Sequence, residues 1–260
     1  MKTSTSYERA AMPQGTAAVL DTRTIENANA NLLAVLKPGH SVLDVGCGSG
    51  TITKGIAKYA GKVTGIDRSE ELISLAKVNP GNVTFEVGDI MDYQPDEKFD
   101  IITTARTLQW IAQPQDVINK MVSLLKPGGL LCVLDYNHEA IRWDPAPPPS
   151  MLDFYAAFLK WRADAGMDNA IADHVIDLVH VKALKMTVEQ QDEYAERGME
   201  GFDTHISLWK KVAETRGKQL VADGYITEAA RLQAIDEYAI WAKEEARSMR
   251  LYLKATHATF

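Results

Sequence analysis

The chain has 260 residues, which is enough for one domain that carries a substantial insertion. Its formal net charge of −7 argues against a nucleic-acid binder, because such proteins usually present a basic face. Cys47 and Cys132 are the only cysteines and form no Cys-x-x-Cys pair, so a structural zinc site is not expected. The N-terminus lacks the apolar core of a secretory signal, and no apolar run approaches the roughly 20 residues that span a bilayer. We therefore expect a cytoplasmic protein without a membrane span, either a monomer or a homodimer.

Strand and helix patterns alternate along the first half of the chain. Apolar residues at helical spacing predict an N-terminal helical segment that ends at Pro38-Gly39. Helical patterns follow in GTITKGIAKYAG, SEELISLAKVN and QPQDVINKMVSLLKPGG. Five apolar runs predict buried strands: SVLDVG, KVTGID, VTFEVGD, FDIITTA and LLCVLDY. This alternation predicts a parallel sheet with helices on both faces.

The alternating pattern stops after Tyr136. A proline-rich connector, WDPAPPPS, leads into three segments with a long helical pattern: Met151 to about Ala165, Phe202 to about Ala222, and Thr227 to about Arg247. The stretch from Ala183 to Glu193 fits either a sixth strand or the start of a helix, and SMRLYLKATHA predicts a final strand. We expect the extra helices to form a lid over one end of the sheet.

Three glycines, Gly46, Gly48 and Gly50, stand between the first strand and the next helix. Glycines in this place let the backbone bend sharply and pass close to a ligand, although a tight strand-to-helix turn alone would also use them. A dinucleotide fingerprint requires G-x-G-x-x-G, and Thr51 occupies the third glycine position. A phosphate-binding P-loop requires Gly-Lys-Ser/Thr, and Lys54 does not fit that order. The loop therefore matches neither phosphate motif.

Four features in chain order resemble the class I S-adenosylmethionine (SAM)-dependent methyltransferases: Asp44-x-Gly46-x-Gly48-x-Gly50, Asp67 after the second strand, Asp89 after the third, and LLKPGGLLCV before the fifth. The segments RTIENANANLLAVLKPGHSVLDVGCGSGTIT and ARTLQWI further resemble the ubiquinone/menaquinone-biosynthesis and the trans-aconitate and malonyl-carrier-protein methyltransferases. These subfamilies differ in substrate. The likeness therefore indicates the cofactor and leaves the methyl acceptor open.

The resemblance implies a cofactor site at the carboxyl ends of the strands. The methionine part of SAM would lie at the glycine loop, where a helix N-terminus favours its carboxylate. Asp67 would accept hydrogen bonds from the ribose hydroxyls, and Asp89 would bind the adenine amine. The cofactor-binding residues implied are Asp44, Gly46, Cys47, Gly48, Asp67, Arg68, Asp89, Ile90 or Met91, Ala105 and Arg106. The N-terminal segment often folds over the cofactor in this family, which makes Tyr7, Gln14 and Arg23 further candidates.

The resemblance also implies the fold class and the domain organisation. We expect one α/β domain with a Rossmann-like sheet of seven strands, mostly parallel, whose last strand is antiparallel. Its parts would be an N-terminal helical cap (1–40), a SAM-binding core (41–136), a mostly helical lid and substrate region (143–247) and a final strand (248–258).

The segment DYNHEAIRW after the fifth strand carries the richest set of candidates for the acceptor site. His138 could be a general base, or a solvated loop histidine; Tyr136 and Asn137 could orient a polar substrate. His205 and Trp209 lie four residues apart on a helical pattern and could present a base beside an aromatic wall, unless Trp209 packs into the core. Gln109 and Trp110 would face the pocket entrance or the sheet edge.

These patterns favour transfer of a methyl group from SAM to an oxygen or nitrogen atom of a small molecule, with S-adenosylhomocysteine as the product. The alternatives are a protein of this fold that binds SAM without methyl transfer, as a pericyclase or a regulator would, and a methyltransferase that acts on RNA or protein. The latter is disfavoured because TARTLQWI replaces the Asn-Pro-Pro-Tyr-like motif of base-amine methylation. Asp135 and Asn137 alone are too few ligands for a metal, and none is expected.

Overall fold

The computed structural model describes residues 5–11, 23–180 and 182–260. Its strands are β1 (Ser41–Val45), β2 (Lys62–Asp67), β3 (Val83–Val87), β4 (Phe99–Ala105), β5 (Leu125–Asp144), β6 (Lys185–Gln190), β7 (Glu193–Glu196) and β8 (Ser248–Thr259). They form one sheet in the order β3-β2-β1-β4-β5-β8-β6, with β7 also paired to β8. Neighbouring strands from β3 to β5 are parallel, whereas β8 runs antiparallel to β5, β6 and β7. The predicted fold class is confirmed.

The helices lie between the strands and beyond the sheet. They are α1 (Ser6–Ala10), α2 (Ile25–Ala28), α3 (Thr51–Ile56), α4 (Glu70–Ala76), α5 (Pro114–Ser123), α6 (Pro149–Ala163), α7 (Ile171–Val179), α8 (Phe202–Ile206), α9 (Leu208–Thr215), α10 (Gly217–Ala222) and α11 (Glu228–Glu244). Short 3-10 turns cover Ala30–Leu32 and Leu108–Trp110. Among the described residues, each helix is too short or too polar to cross a bilayer.

Local sequence accounts for the helix starts in the sheet region. The Ser69 side chain accepts a hydrogen bond from the Leu72 N–H and so caps α4, and a proline at the first position opens α5. At α2, Thr24 and Asn27 cap each other reciprocally, and Asn29 leaves the helical region at φ −138°. The helical segment predicted up to Gly39 is therefore wrong in its extent, because Asn29 ends α2 after one turn.

Three apolar clusters hold the layers together. One lies between α5, α7 and one face of the sheet, and a second lies on the opposite face under α2, α3 and α4. The third joins α6 and α8–α11 to the far ends of β5 and β8, and its largest members include Trp161, Trp209 and Trp241. The added helices thus share an apolar core with the sheet and cover one end of it.

The lid differs from its prediction in three elements. The segment 202–222, predicted as a single helix, forms three helices. Their buried residues face the same core and keep the helical spacing across the breaks, so the sequence pattern does not show where the breaks lie. The sixth strand predicted for 183–193 is instead β6 followed by β7, so the sheet has eight strands and not seven. Asp192 marks the break: its carboxylate accepts from Arg250 and from the Leu253 N–H. Helix α7 was not predicted at all.

Candidate functional site

A cavity of about 490 Å³ opens where β1, β2, β3 and β4 end. Val45, Ile66, Gly88 and Ala105 line it at or just beyond these strand ends. Helices α1, α6 and α9 and the 3-10 turn Leu108–Trp110 contribute the opposite walls. The volume and position are those of a ligand site in an open α/β sheet, where ligands bind beyond the carboxyl ends of the strands.

The glycine loop approaches its neighbours too closely for side chains. Gly46, Gly48 and Gly50 have φ angles of 76°, 56° and 80°, in the left-handed region that glycine adopts without strain. A Cβ on Gly46 would lie 2.4 Å from Thr107 Oγ1, and one on Gly50 would lie 2.5 Å from the Phe85 ring. Packing therefore requires glycine at two of the three positions. Gly46, Cys47 and Gly48 line the cavity.

Two carboxylates lie beside this loop in the cavity wall. The Gly48 N–H donates to Asp67 Oδ2 at 3.0 Å, and the Ser69 N–H donates to Asp67 Oδ1 at 2.9 Å. Asp89 accepts a hydrogen bond from the Met91 N–H at 2.9 Å. Backbone donors thus fix both carboxylates. Each oxygen still has a lone pair for a ligand hydroxyl or amine.

The charges around the loop fit a nucleoside with an amino-acid tail better than a phosphate. Lys54, the lysine of helix α3, donates to the Val78 carbonyl at 3.0 Å and lies outside the cavity lining. Arg68 does line the cavity, but it lies under the Tyr7 ring and 4.0 Å from Asp89. The cofactor predicted from the sequence therefore fits the residues present: glycine backbone at one end and the carboxylates of Asp67 and Asp89 at the other.

Asp44 lies on the side of the glycine loop that faces away from the cavity. It is buried, it accepts a hydrogen bond from Thr53 Oγ1 at 2.7 Å, and it does not line the cavity. Burial raises the pKa of Asp44 to about 6 although the Thr53 hydrogen bond opposes the shift. Within the described residues, no group of three or more His, Cys, Asp or Glu side chains could hold a metal ion.

Arg106 follows β4 and ties three elements together. It is a buried non-glycine residue at φ 57°, and it donates to the Ala28 carbonyl, to Asn29 Oδ1 and to Glu193 Oε1 at 2.7, 3.0 and 2.9 Å. The Tyr136 hydroxyl donates to Glu193 Oε2 at 3.0 Å. Burial alone would raise the pKa of Glu193, but attraction by Arg106 and Arg23 outweighs it and lowers this pKa to about 2.

His138 lies inside strand β5 and not in a loop. Its Nε2 is 2.7 Å from Gln109 Oε1. Gln109 donates its own amide N–H to the Arg106 carbonyl, and Arg162 donates to the same Gln109 oxygen at 3.1 Å. That oxygen is therefore an acceptor, so Nε2 of His138 carries the proton and Nδ1 is free of one. Burial, helped by the charge of Arg162, lowers the pKa of His138 well below its ordinary value, which keeps the ring neutral at pH 7.

Aromatic side chains surround His138 on the lid side. Its ring centroid lies 5.3 Å from that of Tyr136, 5.9 Å from Phe158 on α6 and 6.2 Å from Trp209 on α9. Trp110 adds a further ring, and the Arg216 guanidinium lies 3.9 Å from its centroid. Arg216 also donates to the Arg9 carbonyl, which fastens α1 over the cavity.

The structure brings most of the candidate residues to this one cavity. Its lining includes Tyr7, Gly46, Cys47, Gly48, Asp67, Arg68, Asp89, Ile90, Ala105, Arg106, Gln109, Trp110, Tyr136, His138 and Trp209. Asn137 is turned away: its amide donates to Asp173 and its oxygen accepts from the Glu139 N–H. His205 is partly buried on α8 and lies outside the lining, whereas Trp209 lines the cavity from the separate helix α9. Gln14 lies outside the described residues.

Several lining residues escaped the sequence analysis. Phe158, Leu208 and Val212 come from the lid helices, and Arg216 lies between α9 and α10. Glu193 forms an ion pair with Arg106. An apolar residue at helical spacing looks the same whether it faces a core or a cavity, so no signal in the lid sequence marks Phe158, Leu208 and Val212. Arg216 and Glu193 belong to no motif that would separate them from ordinary surface charges.

Fold and site together define a class: an α/β protein with a glycine loop and two carboxylates at the carboxyl ends of its strands, an arrangement that fits a nucleoside with an amino-acid tail. A family model described as a methyltransferase domain matches residues 36–245, most of the chain. The chain belongs to this methyltransferase domain family. The predicted family and the predicted cofactor, SAM, are thereby confirmed.

Individual relatives are similar over shorter stretches or in fold alone. A ubiquinone biosynthesis O-methyltransferase of Coxiella burnetii is 41% identical over 106 residues, which cover 39% of this chain and 45% of that protein. The chain spans about half the length of the curated relatives it matches. A Haemonchus contortus phosphoethanolamine N-methyltransferase 2 solved with SAM has a TM-score of 0.55 at 16% identity, covering 95% of this chain and 53% of that one. The 4+2-cyclase SpnF has a TM-score of 0.52 at 20% identity, covering 96% and 84%.

Proposed function

We propose that this chain transfers a methyl group from SAM to an oxygen or nitrogen atom of a small-molecule acceptor. One observation carries the proposal: the same cavity that holds the glycine loop, Asp67 and Asp89 also contains neutral His138 within an aromatic wall. When bound, SAM supplies an activated methyl carbon. The protein then has to hold an acceptor beside it and exclude water.

Each side of the cavity has its own role. The glycine-loop backbone would hold the methionine part, with Arg106 and Ala105 beside it. Asp67 would bind the ribose hydroxyls, and Asp89 would bind the adenine amine. Phe158, Trp110 and Trp209 would clamp the acceptor and keep the site dry. The matched relatives include both an O- and an N-methyltransferase, which supports either atom as the acceptor.

His138 is proposed as the general base. Its Nε2–H is held by Gln109, and its unprotonated Nδ1 makes no hydrogen bond in the part of the chain that the structure describes. A neutral imidazole nitrogen in this setting can take a proton from an acceptor hydroxyl or amine as the methyl group is transferred.

The test is release of S-adenosylhomocysteine from SAM in the presence of a panel of small phenols, amines and carboxylic acids. We expect turnover with at least one member, and a fall in kcat of about a hundredfold in His138→Gln with the affinity for S-adenosylhomocysteine unchanged. His174→Gln is the matched control, because His174 is exposed and paired with Asp168 away from the cavity. Full activity of His138→Gln would contradict the role of the base.

A second outcome would favour the alternative function. Binding of SAM without any release of S-adenosylhomocysteine across the panel would indicate a protein that uses the fold without methyl transfer. The cyclase SpnF has a similar fold, so SAM binding without methyl transfer is the alternative to test.

A further inference from the structure

Among the described residues, Arg162 on α6 is a buried cation without an ion pair. Its side chain is fully buried, and its Nε donates to Asn169 Oδ1 at 2.8 Å. Its terminal nitrogens donate to Gln109, Nη1 to the side-chain oxygen at 3.1 Å and Nη2 to the carbonyl at 2.7 Å. Every hydrogen bond of Arg162 within the described ranges ends on a neutral oxygen. A buried charge without an opposite partner is costly, so its presence beside the cavity points to a role in the site.

Gln109 connects Arg162 to His138 through a single atom. Gln109 Oε1 accepts from Arg162 Nη1 and lies 2.7 Å from His138 Nε2. An arginine side chain can only donate, so the amide atom that faces it has to be the oxygen. The other end of the same amide donates to the Arg106 carbonyl at 2.9 Å. With the oxygen turned towards the imidazole, Nε2 has to be the protonated ring nitrogen. Arg162 therefore selects the tautomer of His138, although Arg162 does not line the cavity.

The backbone of His138 is held by a second neighbour of Arg162. The His138 N–H donates to the Asn169 carbonyl at 2.7 Å, and the His138 carbonyl accepts from the Tyr155 hydroxyl at 2.5 Å. Arg162 fixes the side chain of Asn169 through its Nε. Arg162 thus contacts both of the residues that hold the histidine, Gln109 at the ring and Asn169 at the backbone N–H.

The charged and titratable side chains around His138 come from the elements packed against it. They are Asp135, Tyr136 and Glu139 on β5, Tyr155 and Arg162 on α6, Arg106 after β4, and Asp168 before α7. Helix α9 faces the ring with Trp209, which is uncharged. Asp135 accepts from the N–H groups of Gln109 and Tyr136, and burial raises its pKa to about 6. Burial lowers the pKa of His138, and among these charges Arg162 lowers it further.

Another buried arginine of the lid has contacts that account for it structurally. Arg231 on α11 is buried and forms an ion pair with Glu228 at 2.6 Å. It also donates to the Ala213 carbonyl at 3.0 Å, which joins α11 to α9, and it lies outside the cavity lining. Arg162 differs, because its donors go to the two residues that hold His138.

We propose that Arg162 is a positioning residue for the general base: through Gln109 it holds His138 as the tautomer whose Nδ1 can take a proton from the methyl acceptor. This inference rests on the proposed methyl transfer. The hydrogen bond at one ring nitrogen of a histidine decides where its proton resides, and so which nitrogen can act as a base. Without Arg162, only the Arg106 carbonyl would oppose rotation of the Gln109 amide. A rotated amide would present its NH₂ group to Nε2 and shift the proton to Nδ1, where it blocks the base.

The experiment observes the His138 ring directly, by nitrogen-15 NMR of the intact chain with S-adenosylhomocysteine present. Spectra are recorded from about pH 5 to pH 8, and the signals missing in His138→Gln identify the ring. In wild type we expect a neutral ring with its proton on Nε2. In Arg162→Met we expect a mixture of the two neutral tautomers. The midpoint of the His138 titration should also move upward by about one pH unit or more, because a like charge is lost.

Further variants separate the tautomer from the charge. Gln109→Glu should keep the proton on Nε2 but raise the titration midpoint, because a carboxylate favours the charged ring. Arg162→Lys should restore the wild-type tautomer in part, since an ammonium also only donates. Arg231→Met is the matched control: it removes a buried lid arginine and should leave the His138 spectrum unchanged.

Turnover gives a second readout. With an acceptor from the panel, Arg162→Met should lower kcat at neutral pH by about tenfold or more and leave the KM for SAM within about twofold, because the base is affected and the cofactor site is not. The kcat of Arg231→Met should stay within about twofold of wild type. Equal losses in the two variants would show a structural role alone and would overturn the inference.

The ring spectra separate this inference from the proposed function, because they do not depend on turnover. A proton on Nδ1 in wild type, or a tautomer and a titration midpoint that Arg162→Met leaves unchanged, would overturn the inference while leaving methyl transfer intact. If Arg162→Met does not fold, Gln109→Glu decides, and an unmoved titration midpoint there contradicts the inference. The expected spectra without release of S-adenosylhomocysteine from any panel member would instead overturn the proposed function.

Discussion

Gly46 shows how a single position can be restricted by packing and by backbone geometry at once. Its φ of 76° disfavours any side chain, and a Cβ would also lie 2.4 Å from Thr107 Oγ1. Gly128 has nearly the same φ, 78°, but nothing lies within 4 Å of the place where its Cβ would stand. Substituting each of the two glycines by alanine therefore separates the free-energy cost of backbone strain from that of steric overlap.

We expect Gly46→Ala to lower the free energy of unfolding by about 2–5 kcal/mol, the sum of left-handed strain and overpacking. Gly128→Ala should cost only about 1–2 kcal/mol, since strain alone acts there. Urea denaturation of both variants measures the difference. In a Thr107→Ala background, the cost of Gly46→Ala should fall towards the Gly128→Ala value, and equal costs in the wild-type background would show that the contact with Thr107 is unimportant.

At the residue scale, the sequence predicts which residues belong to the site better than it predicts the contacts that they make. Asp67 ends β2 and Asp89 lies two residues beyond the end of β3, so both reach the edge of the sheet where the glycine loop also lies. Asp44 is part of the same motif, yet it lies under the loop and binds Thr53. Motif spacing does not reveal whether a carboxylate faces a ligand or the interior, because that depends on tertiary contacts such as the hydrogen bond from Thr53 to Asp44.

Among the elements, the ion pair of Arg106 with Glu193 links the end of β4 to β7. Glu193 is an acid whose folded pKa, about 2, lies below its ordinary value. Its ionised form therefore contributes stability that is complete above the unfolded pKa of about 4.3 and is lost as the pH falls towards 2.

We expect Glu193→Gln to lower the free energy of unfolding by about 3 kcal/mol at pH 7, because Arg106 is left as a buried cation without its partner. The deficit relative to wild type should shrink as the pH falls from 5 to 2, since wild type loses the same interaction there. Denaturation at several pH values measures it. Glu196→Gln on the same strand, exposed and outside the ion pair, is the control; a deficit that stays constant with pH would contradict the assigned pKa shift.

Element boundaries were predictable where local signals mark them. The strands β1 to β4 match their apolar runs because each is bounded by turns or capped helices. Strand β5 continues to Asp144, past the expected end at Tyr136, because β8 pairs with it along most of that length. This pairing partner lies more than a hundred residues away in the chain, and local periodicity does not contain it.

At the scale of the whole molecule, the two halves of the cavity differ in how far the sequence predicts them. The half proposed for the cofactor arises from consecutive strand ends within residues 41–106, so one continuous stretch predicts it. The half proposed for the acceptor combines β5 with α6 and α9, whose contacts join Tyr136, Phe158 and Trp209. Only tertiary packing brings those rings together, which is why the sequence left the acceptor open.

The whole account depends on the cavity being a SAM site. The most direct measurement is thermal unfolding of the intact chain with S-adenosylhomocysteine, with NAD and ATP as comparison ligands. A ligand at a hundred times its Kd stabilises the folded state by about 2.7 kcal/mol, which raises the Tm by several degrees. We predict this shift for S-adenosylhomocysteine alone, and its loss in Asp67→Ala; no shift at millimolar S-adenosylhomocysteine, or an equal shift with NAD or ATP, would contradict the account.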